Sequence, residues 1–143
     1  MTPLGRLRRL TTAERRLLMR AFVLVVKFRL ALSLLPWRHL LAFTNRPPRR
    51  LARGLTAERM EWAVRSASRG VPRATCLTQA LALNQLLASE DYPCVLHIGV
   101  SNDGGGFAAH AWVELHGIPL LSNEAMVRGY SRFLTWPPTP DRP

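Results

Sequence analysis

The chain has 143 residues, 48% of them hydrophobic, with 20 Lys and Arg against 9 Asp and Glu, a formal net charge of +11. That length suits one domain with a single core, and that apolar content excludes a disordered or low-complexity chain. The charge is uneven, with 17 basic and 3 acidic side chains in residues 1–73 against 3 and 6 in residues 74–143, which raises nucleic acid, a membrane face or an acidic partner beside a plainly solvated surface.

The basic stretch at Arg6, Arg8 and Arg9 is not followed by a short apolar run with a small-residue cleavage site, so no secretory signal is read. The longest apolar region, Leu17 to Phe43, is broken by Arg20, Lys27, Arg29 and Arg38, and charge at the centre of a membrane span is costly. The expectation is a cytoplasmic protein with reduced thiols and no Cys76–Cys94 disulfide.

Thr11 followed three residues later by Glu14 predicts a capping box and a helix running to about Leu35, where Pro36 stops it. A short helical piece is expected over Trp37 to Phe43, then a loop at Asn45 to Arg50, where two prolines adjoin. The next helix starts near Thr56. Met60, Ala63, Val64 and Ala67 give its apolar face, and Gly70 suits its C-terminal cap. Thr75 to Ala88 contains no charged residue, which predicts a buried helix with Thr75 as N-cap and Cys76 in its first turn. Cys94 to Val100 reads as a strand, and Asn102 to Gly106 as a flexible loop. Ala108 to Leu115 reads as a second strand, with His110, Trp112 and Glu114 on one face. His116-Gly117 is a two-residue turn into a returning strand at Ile118 to Leu121. Tyr130 and Phe133 are expected to pack a C-terminal segment onto the sheet.

Cysteine in the first turn of a buried helix suggests nucleophilic chemistry. The helix dipole and the free N–H groups favour a thiolate there and can hold an oxyanion. A histidine on a neighbouring strand can take the thiol proton and return it to a leaving amine. Cys76 and His110 are the candidates, against the plainer reading of Cys76 as a small buried hydrophobe. A third group should orient the imidazole. With His116 and Gly117 as the loop, the hairpin sets His110 opposite Asn123, and one slip of register brings Ser122 or Glu124. Cys94 and His97 have a metal-like spacing, but a structural zinc site needs four ligands and no second pair is well spaced. No metal or cofactor is expected. Phosphate loops, zinc fingers and a clear helix-turn-helix are not found, so specific nucleic-acid reading is not supported.

Three segments together carry a resemblance: RATCLTQALALNQLL at Arg73 to Leu87, LHIGV at Leu96 to Val100 and FAAHAWVEL at Phe107 to Leu115. They resemble the leader peptidases of lasso peptide biosynthesis, the stand-alone form of the B protein's peptidase half. That family lies within the transglutaminase-like group of papain-related folds. The resemblance implies an α+β fold, with a transglutaminase/papain-like core, the cysteine at a buried helix N-terminus and a small antiparallel sheet. One domain over 1–143 is expected: an Arg-rich helical layer at 1–73, the catalytic core at 74–136 and a loose tail at 137–143.

The family's catalytic set is Cys, His and Asp. Cys76 and His110 match it, whereas Leu121-Ser122-Asn123-Glu124 stands where the acid is expected. The third residue therefore stays with the hairpin reading, Asn123, with Glu124 and Ser122 beside it. Asp103 lies in the loop before His110, on the wrong side of the strand. The implied activity is removal of the leader from a ribosomally made precursor peptide, with a separate leader-recognition protein and a macrolactam cyclase as partners. The chain leaves no room for a recognition domain before its own helices, which fits the split form. The basic half is expected to dock the recognition protein, the precursor or an anionic membrane face. The rival readings are a transglutaminase or amine acyltransferase on the same scaffold, and a non-enzymatic basic adaptor.

Overall fold

Thr11 and Glu14 close both halves of a capping box: Glu14 N donates to Thr11 Oγ1 at 3.2 Å, and Thr11 N donates to the Glu14 carboxylate at 2.9 Å. The helix so started, α1, spans Thr12–Leu34 in the computed structural model. Residues 5, 8–36, 39, 55–102 and 106–136 are described. The helical piece expected over Trp37 to Phe43 (His39 apart), the Asn45 to Arg50 loop and the tail at 137–143 fall outside them.

On α1, Leu17, Ala21, Leu24, Val25 and Phe28 are buried, the i, i+4, i+7, i+8 spacing of one helix face. Helix α2 spans Ala57–Ser68, and its N-cap Thr56 accepts from Arg59 N at 3.3 Å. Met60, Ala63, Val64 and Ala67 are its buried face, as the periodicity required. Its C-cap is Arg69 rather than Gly70, because the turn closes by Gly70 N donating to Ala67 O at 3.1 Å without a left-handed residue at the cap.

Helix α3, Cys76–Ser89, packs on α1, on α2 and on two strands of the sheet. Neighbours on so many sides explain why its sequence carries no charge, since a charged side chain there would be stripped of water. Most of its polar residues are buried too: Thr78, Asn84, Gln85 and Ser89.

The sheet is antiparallel, with strands β1 (Cys94–Ser101), β2 (Ala108–Leu115), β3 (Ile118–Leu120) and β4 (Ser131–Trp136) in the order β3-β2-β1-β4. A short helix α4, Glu124–Arg128, links β3 to β4. The mixed helices and small antiparallel sheet make the fold α+β. The β2–β3 hairpin turns at His116 and Gly117, with φ of 52° and 78°, the left-handed pair that a two-residue turn needs.

Alternation divides the sheet. Leu96, Ala111 and Val113 join the core with α1, α2 and α3. Register pairs His97 with Trp112 and Gly99 with His110 on the opposite face. β4 brings Tyr130 over that face, but Phe133 is 73% exposed, so only the first of the two expected aromatics packs. The β1–β4 register shifts between Ile98 and Gly99. A Cβ on Gly99 would stand 2.8 Å from Tyr130 Cβ and 2.9 Å from the Trp112 ring, so glycine lets both aromatics close over the strand.

Candidate active site

Cys76 is the first residue of α3 and is half-buried. Thr75 caps the helix, its Oγ1 accepting from Thr78 N at 3.3 Å. The first N–H groups of a helix have no partner within it, and Cys76 is at that end of α3. The second cysteine is of another kind. Cys94 is buried, and its thiol donates to Asn84 Oδ1 at 3.3 Å. Burial pushes that thiol up to about 11, so it is a packing residue with little thiolate at neutral pH. Neither cysteine is in a disulfide.

His110 lies on β2, which packs against α3. Its ring stacks on Trp112 with centroids 5.9 Å apart and tilts against Tyr130 at 5.4 Å. Burial holds its pKa below the usual 6.5 by disfavouring the charged form. Its Nε2 lies 3.0 Å from Ser122 Oγ. Cys76 and His110 thus sit on two elements in contact, and among the described residues no hydrogen bond joins them.

The expected third residue is placed differently. The β2–β3 pairing follows the predicted register through Val113↔Leu120 and then stops. Leu121, at φ 62°, turns the chain out of the ladder, so the pairing of His110 with Asn123 never forms. Asn123 is instead the N-cap of α4, its Oδ1 accepting from Met126 N at 2.8 Å. Glu124 is in the first turn of that helix, exposed and 3.6 Å from Arg128. Of the three candidates, the structure brings Ser122 to the imidazole. Asp103 falls outside the described residues.

The family model of the transglutaminase-like superfamily matches residues 22–135. This chain belongs to the transglutaminase-like superfamily. The fold of that superfamily is typically that of a cysteine peptidase or acyltransferase, which agrees with a thiol at a helix N-terminus and a histidine on the adjoining sheet. No curated protein and no solved structure matches the chain.

In this transglutaminase-like domain a second cluster lies on the face of the sheet shared with His110. Glu114 accepts from Trp112 Nε1 at 3.3 Å and from Arg132 Nη2 at 2.8 Å, and its other oxygen is 3.2 Å from His97 Nε2. His97 Nδ1 is 3.0 Å from Thr135 Oγ1. Burial holds the His97 pKa below 6.5, although Glu114 pulls it upward. The Glu114 charge is already shared with Arg132, which weakens that pull. Cys94 and His97 lie on opposite faces of β1, so they cannot share one ion. Among the described residues no group of three His, Cys, Asp or Glu could hold a metal ion, and no helix is long and apolar enough to cross a membrane.

Glu61 gave no signal in the sequence beyond being a polar residue of an amphipathic helix. In the fold it reaches from α2 to accept the Leu121 N–H at 2.9 Å, and it pairs with Arg65 at 2.9 Å. It therefore holds the turn that delivers Ser122.

Proposed function

We propose that this chain is a cysteine peptidase that removes the leader from a ribosomally made lasso peptide precursor. The observation that carries the acyl-transfer chemistry is Cys76 in the first turn of α3, on a helix packed against the strand of His110. In the proposed reaction the Cys76 thiol gives its proton to His110, and Sγ bonds to the carbonyl carbon of the leader–core peptide bond. The oxygen that gains charge faces the N–H groups at the start of α3. His110 then protonates the departing amine of the core, the C–N bond breaks, and water hydrolyses the thioester to release the leader acid and free Cys76. No step requires a cofactor or metal.

The precursor as substrate rests on the three segments around Cys76, the β1 run LHIGV and His110. The same resemblance supplies the partners, a separate leader-recognition protein and a macrolactam cyclase, and the cytoplasmic setting rests on the charge-broken apolar region and the lack of a readable secretory signal. Docking is assigned to the basic surface of α1. There Arg16, Met19, Arg20, Val23, Leu24, Lys27 and Gln85 line a groove of about 530 Å³, and its cationic rim over apolar side chains suits an acidic, partly apolar partner.

The test is cleavage of the cognate precursor, with its recognition protein present, followed by mass spectrometry. Wild type should release leader and core, and Cys76→Ala should release neither while keeping its fold. Leader release by Cys76→Ala would refute the proposal. Membership of the superfamily also favours acyl transfer to an amine, and the same spectra separate the two, since hydrolysis adds water and transfer adds the amine.

A further inference from the structure

We infer that Ser122 is the positioning residue of His110, accepting its Nε2–H and leaving Nδ1 to exchange the Cys76 proton, and that Glu61 sets Ser122 in place through the backbone of Leu121. The inference deepens the peptidase reading and rests on it for the role of Nδ1.

The geometry is specific. His110 Nε2 and Ser122 Oγ are 3.0 Å apart, a hydrogen-bond distance between two half-buried side chains. A ring nitrogen tied this way fixes both the tautomer and the rotation of the imidazole. If Nε2 carries the proton, Nδ1 keeps its lone pair, and that nitrogen is the one able to act as a base. Once Nδ1 takes the thiol proton, Nε2–H still donates to Ser122, so the bond survives both protonation states.

Ser122 does not reach the ring by strand pairing, because the ladder ends at Leu120. It depends on Leu121 at φ 62°, which is costly for a leucine and persists only when the surroundings enforce it. Glu61 is the enforcing contact, since its carboxylate accepts the Leu121 N–H at 2.9 Å. The link runs from α2 through one backbone amide to the hydroxyl and the imidazole.

A hydroxyl in this position also changes the charge of the site. The described groups that meet the ring are Trp112 on β2, Tyr130 just before β4 and Ser122, and Gly99 across on β1 offers no side chain. Glu114, the carboxylate on the same face, is engaged by Arg132, Trp112 and His97. Glu61 is turned to Leu121 and Arg65. Among the described residues no carboxylate therefore bonds the imidazole, and burial favours the neutral ring at neutral pH.

The experiment reads His110 directly, by NMR titration of the free protein and its variants, alongside cleavage kinetics. In wild type His110 should titrate below 6.5, with its ring nitrogens showing protonated Nε2. Ser122→Asp should raise the His110 pKa by about one to three units and move the acid limb of kcat/KM to higher pH by the same amount, with His97 unmoved. Ser122→Ala should lose the single-tautomer signature and lower kcat about tenfold or more at unchanged KM. Glu61→Ala should behave like Ser122→Ala, and Glu61→Gln, which keeps an acceptor oxygen, should restore most of the rate. Titration curves and ring shifts of His110 that are identical in wild type, Ser122→Ala and Ser122→Asp would overturn the inference. The titration needs no cleavage, so a wild type that titrates as expected but never cuts supports the pairing and counts against the peptidase.

Discussion

Gly99 lies directly across the β1–β2 ladder from His110, and it is the absence of a side chain there that lets Tyr130 and Trp112 meet the imidazole. A methyl group at Gly99 would stand 2.8 Å from Tyr130 Cβ, closer than packed carbon atoms come. Gly99→Ala should cost about 1–3 kcal/mol of stability, the usual penalty for an overfilled site. It should also widen the environment of His110, seen as a shifted His110 ring signal. Denaturant unfolding and NMR check both, and a variant as stable as wild type with an unmoved His110 signal would show that the strand gives way freely.

The two cysteines should differ sharply in reactivity. Cys94 is buried beneath Asn84 with its thiol pushed up to about 11, so on the order of one molecule in a thousand is thiolate at pH 8. Cys76 is half-buried at a helix start. Iodoacetamide at pH 8 should modify Cys76 at least about tenfold faster than Cys94, read by peptide mapping. Equal rates would mean that Cys94 is exposed by easy opening of the sheet.

The elements whose signals are local were legible in the sequence. The capping box at Thr11 and Glu14, the uncharged helix behind Thr75 and the His116-Gly117 turn each depend on residues a few positions apart. Cys76 in a first turn and His110 on the strand sharing a face with Trp112 follow from them. The residue that bonds the His110 ring was legible only as one of three, with Asn123 preferred to Ser122 and Glu124. Pair counting from the turn holds only while the ladder lasts, and Leu121 leaves it after three pairs. What ends the ladder includes a contact from Glu61, sixty residues upstream, which no periodicity can show. Asn123 had a stronger local use as an N-cap, which claimed its side chain. The pairing of β4 with β1 is likewise a long-range choice, and it decided which of Tyr130 and Phe133 would be covered.

Acidification should destabilise the fold through His97. Burial is the main cause of its lowered pKa, with Glu114 opposing and Arg132 assisting. The unfolded chain, with an ordinary histidine near 6.5, therefore takes up the proton before the folded protein does. The contribution is complete above about 6.5, declines as pH falls, and is lost once pH passes the folded value. His110 has the same sign. Unfolding free energy measured from pH 8 down to pH 5 should fall, and His97→Gln should flatten the slope. A slope unchanged in His97→Gln would place the acid sensitivity elsewhere.

The basic groove on α1 leads to a prediction about substrate capture rather than chemistry. Arg16, Arg20 and Lys27 rim a floor of Met19, Val23 and Leu24, and none of the residues of the His110 cluster lines that groove. An acidic partner held there would be drawn by charges at the surface, which affect encounter and weaken with salt. Charge reversal at Arg16 and Arg20 should raise KM for the precursor about tenfold, leave kcat within about twofold, and remove most of the salt dependence seen in wild type. Thermal unfolding should change little for Arg16, which is exposed, since surface substitutions usually shift stability by less than about 0.5 kcal/mol, and somewhat more for the half-buried Arg20. Kinetics unchanged by the reversal and by salt would show that the arginines only solvate the helix. A fall in kcat at constant KM would instead place the groove in communication with the reacting groups.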